Sequence, residues 1–275
     1  MRCTLADLGG RVALSCAVIA LSACAGTRLS LPTDPGTPLP DMAGVHAQVS
    51  RGCSTVRTFT AELALSGHAG ATRLRGRVIA GFGPLASMRL EGVAPFGPPA
   101  FVLASREGSA TLVLPRDNAV VRDARPEALL EALTGVSLAP ADLQAVLTGC
   151  VVAAPRATDG HLHANNWASI DLEGGATLYL RREDGRWVLR AARRGEWEIQ
   201  YGPWMGTFPT EVRLRTSGIP GRTGAAPEVD LTATVSQVEA NVDLEDASFR
   251  VTVPPGAESL TLDDVRAAGP LRGPS

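Results

Sequence analysis

After Arg57 the apolar positions fall on every second residue. Phe59, Ala61, Leu63 and Leu65 alternate with Thr60, Glu62, Ala64 and Ser66; Leu74, Gly76, Val78 and Ala80 alternate with Arg73, Arg75, Arg77 and Ile79; Met88 and Leu90 alternate with Arg89 and Glu91. A period of two marks strands with one apolar and one polar face. AFVLAS, ATLVLP and NAVVR continue the series, with a turn at Glu107-Gly108. From about Leu162 the pattern resumes as NWASIDLE, ATLYLRRE, RWVLRAAR and EWEIQY, a meander turning at Gly174-Gly175, Asp184-Gly185 and Gly195. TEVRLRT and EVDLTATVSQVEANV follow, separated by GIPGRTGAAP, and FRVTV reads as a last strand before Pro254-Pro255.

Helical spacing appears in four places. Val45, Val49, Cys53 and Val56 predict a helix ahead of the first strand. RPEALLEALTG puts Pro126 at a first helical position, Leu129, Leu130 and Leu133 on a stripe and Gly135 at the stop. APADLQAVLTG repeats this with Pro140, then Leu143, Val146 and Leu147, then Gly149. TLDDVRAA predicts a short terminal helix capped by Thr261. Two short helices amid antiparallel strands are not crossovers between parallel strands; they cover something. The expected fold is mainly β: a large curved antiparallel sheet of about 11–13 strands with a cover of short helices.

The first residues set the compartment. Arg2 and Arg11 precede the apolar run VALSCAVIALSA, Val12 to Ala23, too short for a bilayer span but suited to a signal peptide. Its end, LSAC, resembles the lipobox of bacterial lipoproteins, which implies cleavage before Cys24 and acylation of Cys24. The alternative is an ordinary secretory signal with a chance cysteine. Ala25, where an aspartate would mean inner-membrane retention, favours the outer membrane. Residues 24–40 hold four prolines and read as the acylated N-terminus and an extended tether; residues 41–253 form the sheet domain and 254–275 a tail.

Composition excludes more than it proposes. A formal charge of −2 gives no basis for a nucleic-acid partner. The chain has no lysine, hence no Walker A loop and no Schiff base. GFGPLA fails as a dinucleotide fingerprint because Pro84 and a strand follow it. The arginines between Arg181 and Arg194 alternate with apolar residues, as on the solvated face of strands. His161 and His163 flank Leu162 and could share a face as metal ligands, but no carboxylate or thiolate cluster accompanies them, so they read as exposed loop residues and no metal is expected. Cys53 and Cys150 form a disulfide or remain two buried thiols. The chain is not expected to be an enzyme, and its only cofactor would be the covalent lipid on Cys24.

Four stretches carry a family likeness: MRLEGVAPFGPPAFVL, LLEALTGVSLAPADLQAVLTG, GRWVLRAARRGEWEIQY and FPTEVRL. In order and spacing, over roughly residues 41 to 240, they resemble the outer-membrane lipoprotein receptor family LolB, within the LolA/LolB fold. The second lid helix departs from that family at Ala145-Val146 and Gly149-Cys150, and the tail after Asp243 has no counterpart in it. The resemblance implies an unclosed barrel with an apolar cavity for the acyl chains of other lipoproteins. It implies a periplasmic carrier of LolA type as donor, delivery to the outer membrane by a monomer facing the periplasm, and no bond made or broken. It places a bilayer-inserting loop at Pro95, Phe96 and Gly97. The cavity candidates on the apolar faces are Leu63, Leu65, Val78, Met88, Leu90, Phe101, Leu103, Leu112 and Leu114, with Leu130, Leu133, Leu143 and Leu147 from the lid. A LolA-fold lipoprotein that binds another lipid or partner without transfer is the alternative, and Phe96 folded back on its own sheet is the alternative for the loop.

Overall fold

The computed structural model describes residues 29–152, 156–216 and 228–272. The leader, Cys24 and Ala25 lie outside the described residues. Pro32–Ser275 form one compact unit, separate from Met1–Leu31.

The strands in chain order are β1 (Thr37–Pro38), β2 (Phe59–Ala69), β3 (Thr72–Gly83), β4 (Ser87–Val93), β5 (Phe101–Arg106), β6 (Ser109–Leu114), β7 (Ala119–Ala124), β8 (Ala157–His163), β9 (Trp167–Leu172), β10 (Ala176–Glu183), β11 (Arg186–Arg194), β12 (Trp197–Tyr201), β13 (Trp204–Met205), β14 (Phe208–Pro209), β15 (Glu211–Thr216), β16 (Val229–Ala240) and β17 (Glu258–Ser259). Thirteen of the described strands have five residues or more, within the expected range. The helices are α1 (Met42–Ser50), α2 (Pro126–Thr134), α3 (Pro140–Thr148) and α4 (Leu262–Ala268).

Fifteen strands form one sheet in the order β1-β8-β9-β10-β11-β12-β15-β16-β2-β3-β4-β5-β6-β7-β17, and β13 pairs only with β14. Every pairing in the large sheet is antiparallel except β17 beside β7. Laid flat, fifteen strands would span about 70 Å at ~4.8 Å each. Residues from β9 to β7 nevertheless join a single core cluster, so the sheet is rolled. Its edge strands β1 and β17 do not pair, and the roll stays open.

The inner face carries the main core. Phe59, Phe82, Met88, Leu103, Leu112, Leu178 and Leu180 are almost wholly buried there. Part of the outer face is a ladder of charge. Glu198 accepts hydrogen bonds from Arg193 at 2.8 and 3.0 Å and from Gln200 at 2.7 Å, and Asp230 accepts two from Arg213. Burial alone would raise the Asp230 pKa, but the Arg213 hydrogen bond and the charges of Arg213 and Arg215 outweigh it and hold the carboxyl below its usual range.

Four expectations are corrected. The first helix ends at Ser50, ahead of Gly52, and Cys53–Thr55 form a separate 3₁₀ turn, so Cys53 and Val56 leave the helical stripe. The tether ends earlier than Pro40: Thr37 and Pro38 pair with Leu162 and His161 at the sheet edge, and Leu39 is buried. FRVTV is not a strand. Asp246–Phe249 form a 3₁₀ turn, and Phe249 fills the space left by Gly83, where a Cβ would lie 2.6 Å from its ring. Arg89 fixes this segment by donating to the carbonyls of Ser248 and Arg250. The segment lies against β4 and β5, on the outer face, where Val102, Val113 and Val120 form a buried cross-strand row apart from the main core. His161 and His163 sit on β8 rather than in a loop; the His163 side chain is buried, with ring nitrogens 2.9 Å from Ser169 Oγ and 3.2 Å from Asp34.

The tail beyond the Asp246–Phe249 turn returns to the sheet, where Arg272 bridges to Leu74. Thr261 caps α4 as expected, in a reciprocal box with Asp264. Val265 is fully buried and Leu271 joins the main core.

Candidate functional site

Proline fixes the starts of α2 and α3, and a glycine at φ 74° ends each, as their sequences require. The two helices follow one another in the chain over the inner face, α2 against β6 and α3 against β4 and β14. Beneath them lies a chamber of about 100 Å³. Nine of the thirteen cavity candidates line it: Leu63, Leu65, Val78, Leu90, Phe101, Leu130, Leu133, Leu143 and Leu147. The other four, Met88, Leu103, Leu112 and Leu114, point to the same face but are packed core. There α2 lies against β6, which fills that part of the roll.

The remaining wall was not anticipated. Val212 and Leu214 from β15, Leu231 and Ala233 from β16, Val136, Leu138 and Val146 from the lid, and Leu271 from the tail complete it. The alternation of β15 and β16 could have flagged the first four. No local signal marks Leu271. The one polar lining residue, Thr134, spends its hydroxyl on the Leu130 carbonyl at 2.7 Å. The wall therefore offers shape and hydrocarbon, with no titratable side chain.

The Phe96 loop shares a rim with this lid. Ala69, beside the β2–β3 turn, marks one end of the sheet. Val93 pairs with Arg77, and the chain leaves β4 toward that same end. Gly135, at the lid's bend, sits on Ala69, whose Cβ lies 2.5 Å from where a Gly135 Cβ would be. Register carried from Trp197 to Thr216, and from Arg215 through Asp230 to His68, puts the β11–β12 turn on this rim too. At the loop tip Phe96 is 87% exposed, so it is not folded back on the sheet. Arg116 braces the loop, donating to the carbonyls of Phe96 and Pro98. Pro95 and Gly97 flank Phe96 in the chain, and Gly97, at φ 75°, has open space around it.

The opposite end is closed covalently. Cys53 and Cys150 form a disulfide across 97 residues, with Cα atoms 5.4 Å apart. It ties the end of α3 to the turn ahead of β2. Nearby, Tyr201 packs on Trp204 with ring centroids 5.8 Å apart. Its buried hydroxyl has no hydrogen-bond partner among the described residues, and burial pushes its pKa well above the ordinary tyrosine value. It stays neutral. Burial would lower the Arg193 pKa, but its hydrogen bond to Glu198 and the charges of Tyr179 and Glu198 raise it overall, so Arg193 keeps its charge.

No group of three or more His, Cys, Asp or Glu residues able to hold a metal is found among the described residues. No helix among them is long and apolar enough to cross a membrane.

No protein-family model matches the sequence, and no curated protein matches it. Solved structures do. A LolA superfamily protein from Nitrosomonas europaea is 10% identical over 75% of this chain and 98% of its own, at a TM-score of 0.49. A DUF1329 family protein from Desulfovibrio piger is 15% identical over 76% and 96%, at 0.47. A domain from Vibrio parahaemolyticus described as an outer membrane lipoprotein-sorting protein is 9% identical over 75% and 96%, at 0.45. These are likenesses to the fold in outline: a mainly β chain with a large unclosed sheet and few short helices.

Proposed function

We propose that the chain is a lipid-anchored receptor that holds the acyl chains of other lipoproteins beneath α2 and α3 and releases them into the outer membrane. Acylated Cys24 would anchor it, a carrier of LolA type would supply the cargo, and the domain would face the periplasm as a monomer. One observation carries this reading: an apolar chamber lies beneath α2 and α3, and the exposed Phe96 stands on the rim where the chain bends between those helices.

Burying an acyl chain is worth about 0.8 kcal/mol per methylene. A bilayer offers the same gain, so the hand-over is nearly balanced and its direction comes from small differences in affinity. The closed chamber, about 100 Å³, is well short of the ~300–1,000 Å³ of sites that enclose drug-sized ligands. Loading therefore requires the lid to lift. Phe96 contributes ~1.5–3 kcal/mol if it enters hydrocarbon, enough for a brief contact and too little for an anchor.

Phe96→Glu should leave folding and acyl binding intact and cut transfer from a carrier to liposomes by about tenfold or more, since the apolar contact is replaced by a charge. Normal transfer by this variant would sink the delivery reading. Depleting the protein from cells should trap lipoproteins in the periplasm or inner membrane; unchanged sorting would leave a lipid-binding lipoprotein without a transfer role.

A further inference from the structure

We infer that a second chamber, on the other side of α3, receives a separate acyl chain of the same ligand, with the ligand's polar head at its charged mouth. The inference rests on the acyl-binding reading above and adds a subsite to it.

This chamber is the larger of the two, about 180 Å³. Ala176, Leu178, Ala192 and Ile199 form its floor, and Ala145 faces it from α3. Only Leu138, Val146 and Leu214 line both chambers, so a few apolar side chains separate two apolar compartments. Asp142, Glu173 and Arg194 line the second chamber, and Arg193 borders it with its guanidinium held by Glu198 on the outer face, whereas no charged residue lines the first. Arg194 donates to Asp142 at 2.8 Å, fastening α3 to the rim of the sheet. Both side chains remain substantially exposed. Water and salt screen such a pair, so an acceptor oxygen on a ligand head can take the place of Asp142 at low cost.

An apolar floor rejects a free anion, and a charged mouth is wasted on a bare hydrocarbon. Together with the neighbouring all-apolar chamber, they fit an amphiphile with at least two chains and an oxygen-rich head. Val146 would lie between the chains.

The test compares binding of a dipalmitoyl lipopeptide and of palmitate to the full chain, each followed by titration calorimetry. Ala145→Trp fills the second chamber from the lid. It should weaken lipopeptide binding about tenfold or more, and palmitate binding less than about twofold, because only the two-chain probe loses a buried chain. Arg194→Ala, at an exposed position, should weaken the lipopeptide about three- to tenfold with no loss of folding. Should Ala145→Trp fail to unfold cooperatively, Arg194→Ala decides. If both variants bind the lipopeptide as the unmodified chain does, the second subsite is overturned and the acyl-binding reading stands. If the unmodified chain binds neither probe, both are overturned.

Discussion

The two lid helices are built alike and held differently. Each has nine residues, a proline start, an acidic residue in its first turn and a glycine stop at φ 74°. Each ends in a threonine whose hydroxyl returns to the carbonyl four residues back, at 2.7 Å from Thr134 and 2.8 Å from Thr148. Yet α2 buries Leu129, Leu130, Ala132 and Leu133, lies against β6 and is backed by α4, whose Arg266 reaches Glu131 at 3.9 Å. α3 buries Pro140 at its start and Val146, Leu147 and Thr148 at its end, touches β4 and β14, and has a chamber on each side. It is held at one end by the disulfide and at the other by Arg194 and Asp142. Local sequence decides that a helix forms; what lies beneath decides whether it can move. The expected outcome is that α2 acts as the fixed half of the lid and α3 as the movable half.

That contrast can be broken in graded ways. The largest effect is expected at the disulfide. Cys150→Ser should destabilise the domain by about 4 kcal/mol in the chain-entropy model, read as a drop in urea midpoint, and amide exchange in α3 should quicken far more than in α2. Equal quickening in both helices would mean the lid moves as one body. Next comes Leu129→Ala in α2, fully buried, at ~3 kcal/mol for lost transfer energy and the cavity left behind. Leu143→Ala in α3, only half-buried beside an existing chamber, should cost roughly 1 kcal/mol. Similar losses at the two leucines would erase the distinction. The smallest effect belongs to Arg194→Ala, under ~1 kcal/mol for an exposed pair, while the N-terminal amides of α3 lose exchange protection.

Much of this arrangement was legible in the chain. Alternation from Phe59 to Glu91 gave the strands, Pro126 and Pro140 the lid, and Thr261 the terminal cap. Nine of the thirteen candidates line the chamber: period two assigns a face to five on the strands, and helical spacing assigns a stripe to four on the lid. Period two does not say how far along a face the packing is solid, so it does not separate Leu112 and Met88, which lie outside the chamber lining, from Leu90, which belongs to it. FRVTV shows the other limit. Its alternation is genuine, but Phe249 meets Gly83 across the sheet's outer surface, a partner more than 160 residues away. Leu271 and the Arg194–Asp142 link depend likewise on distant contacts that no local period encodes. Phe96 was the clearest signal of all, an aromatic among prolines with nothing nearby to cover it.

The unpaired edges of the sheet have a mechanical consequence. In a closed barrel, strand number and stagger fix the bore. Here β1 and β17, two residues each, never meet, so there is no seam of hydrogen bonds to break. The roll has no such constraint, so its bore is not set by a count of strands. The same shortness, with Pro38 lacking an N–H at one edge, gives a neighbouring chain little to pair with. An open seam is thereby combined with edges that offer few unpaired backbone groups.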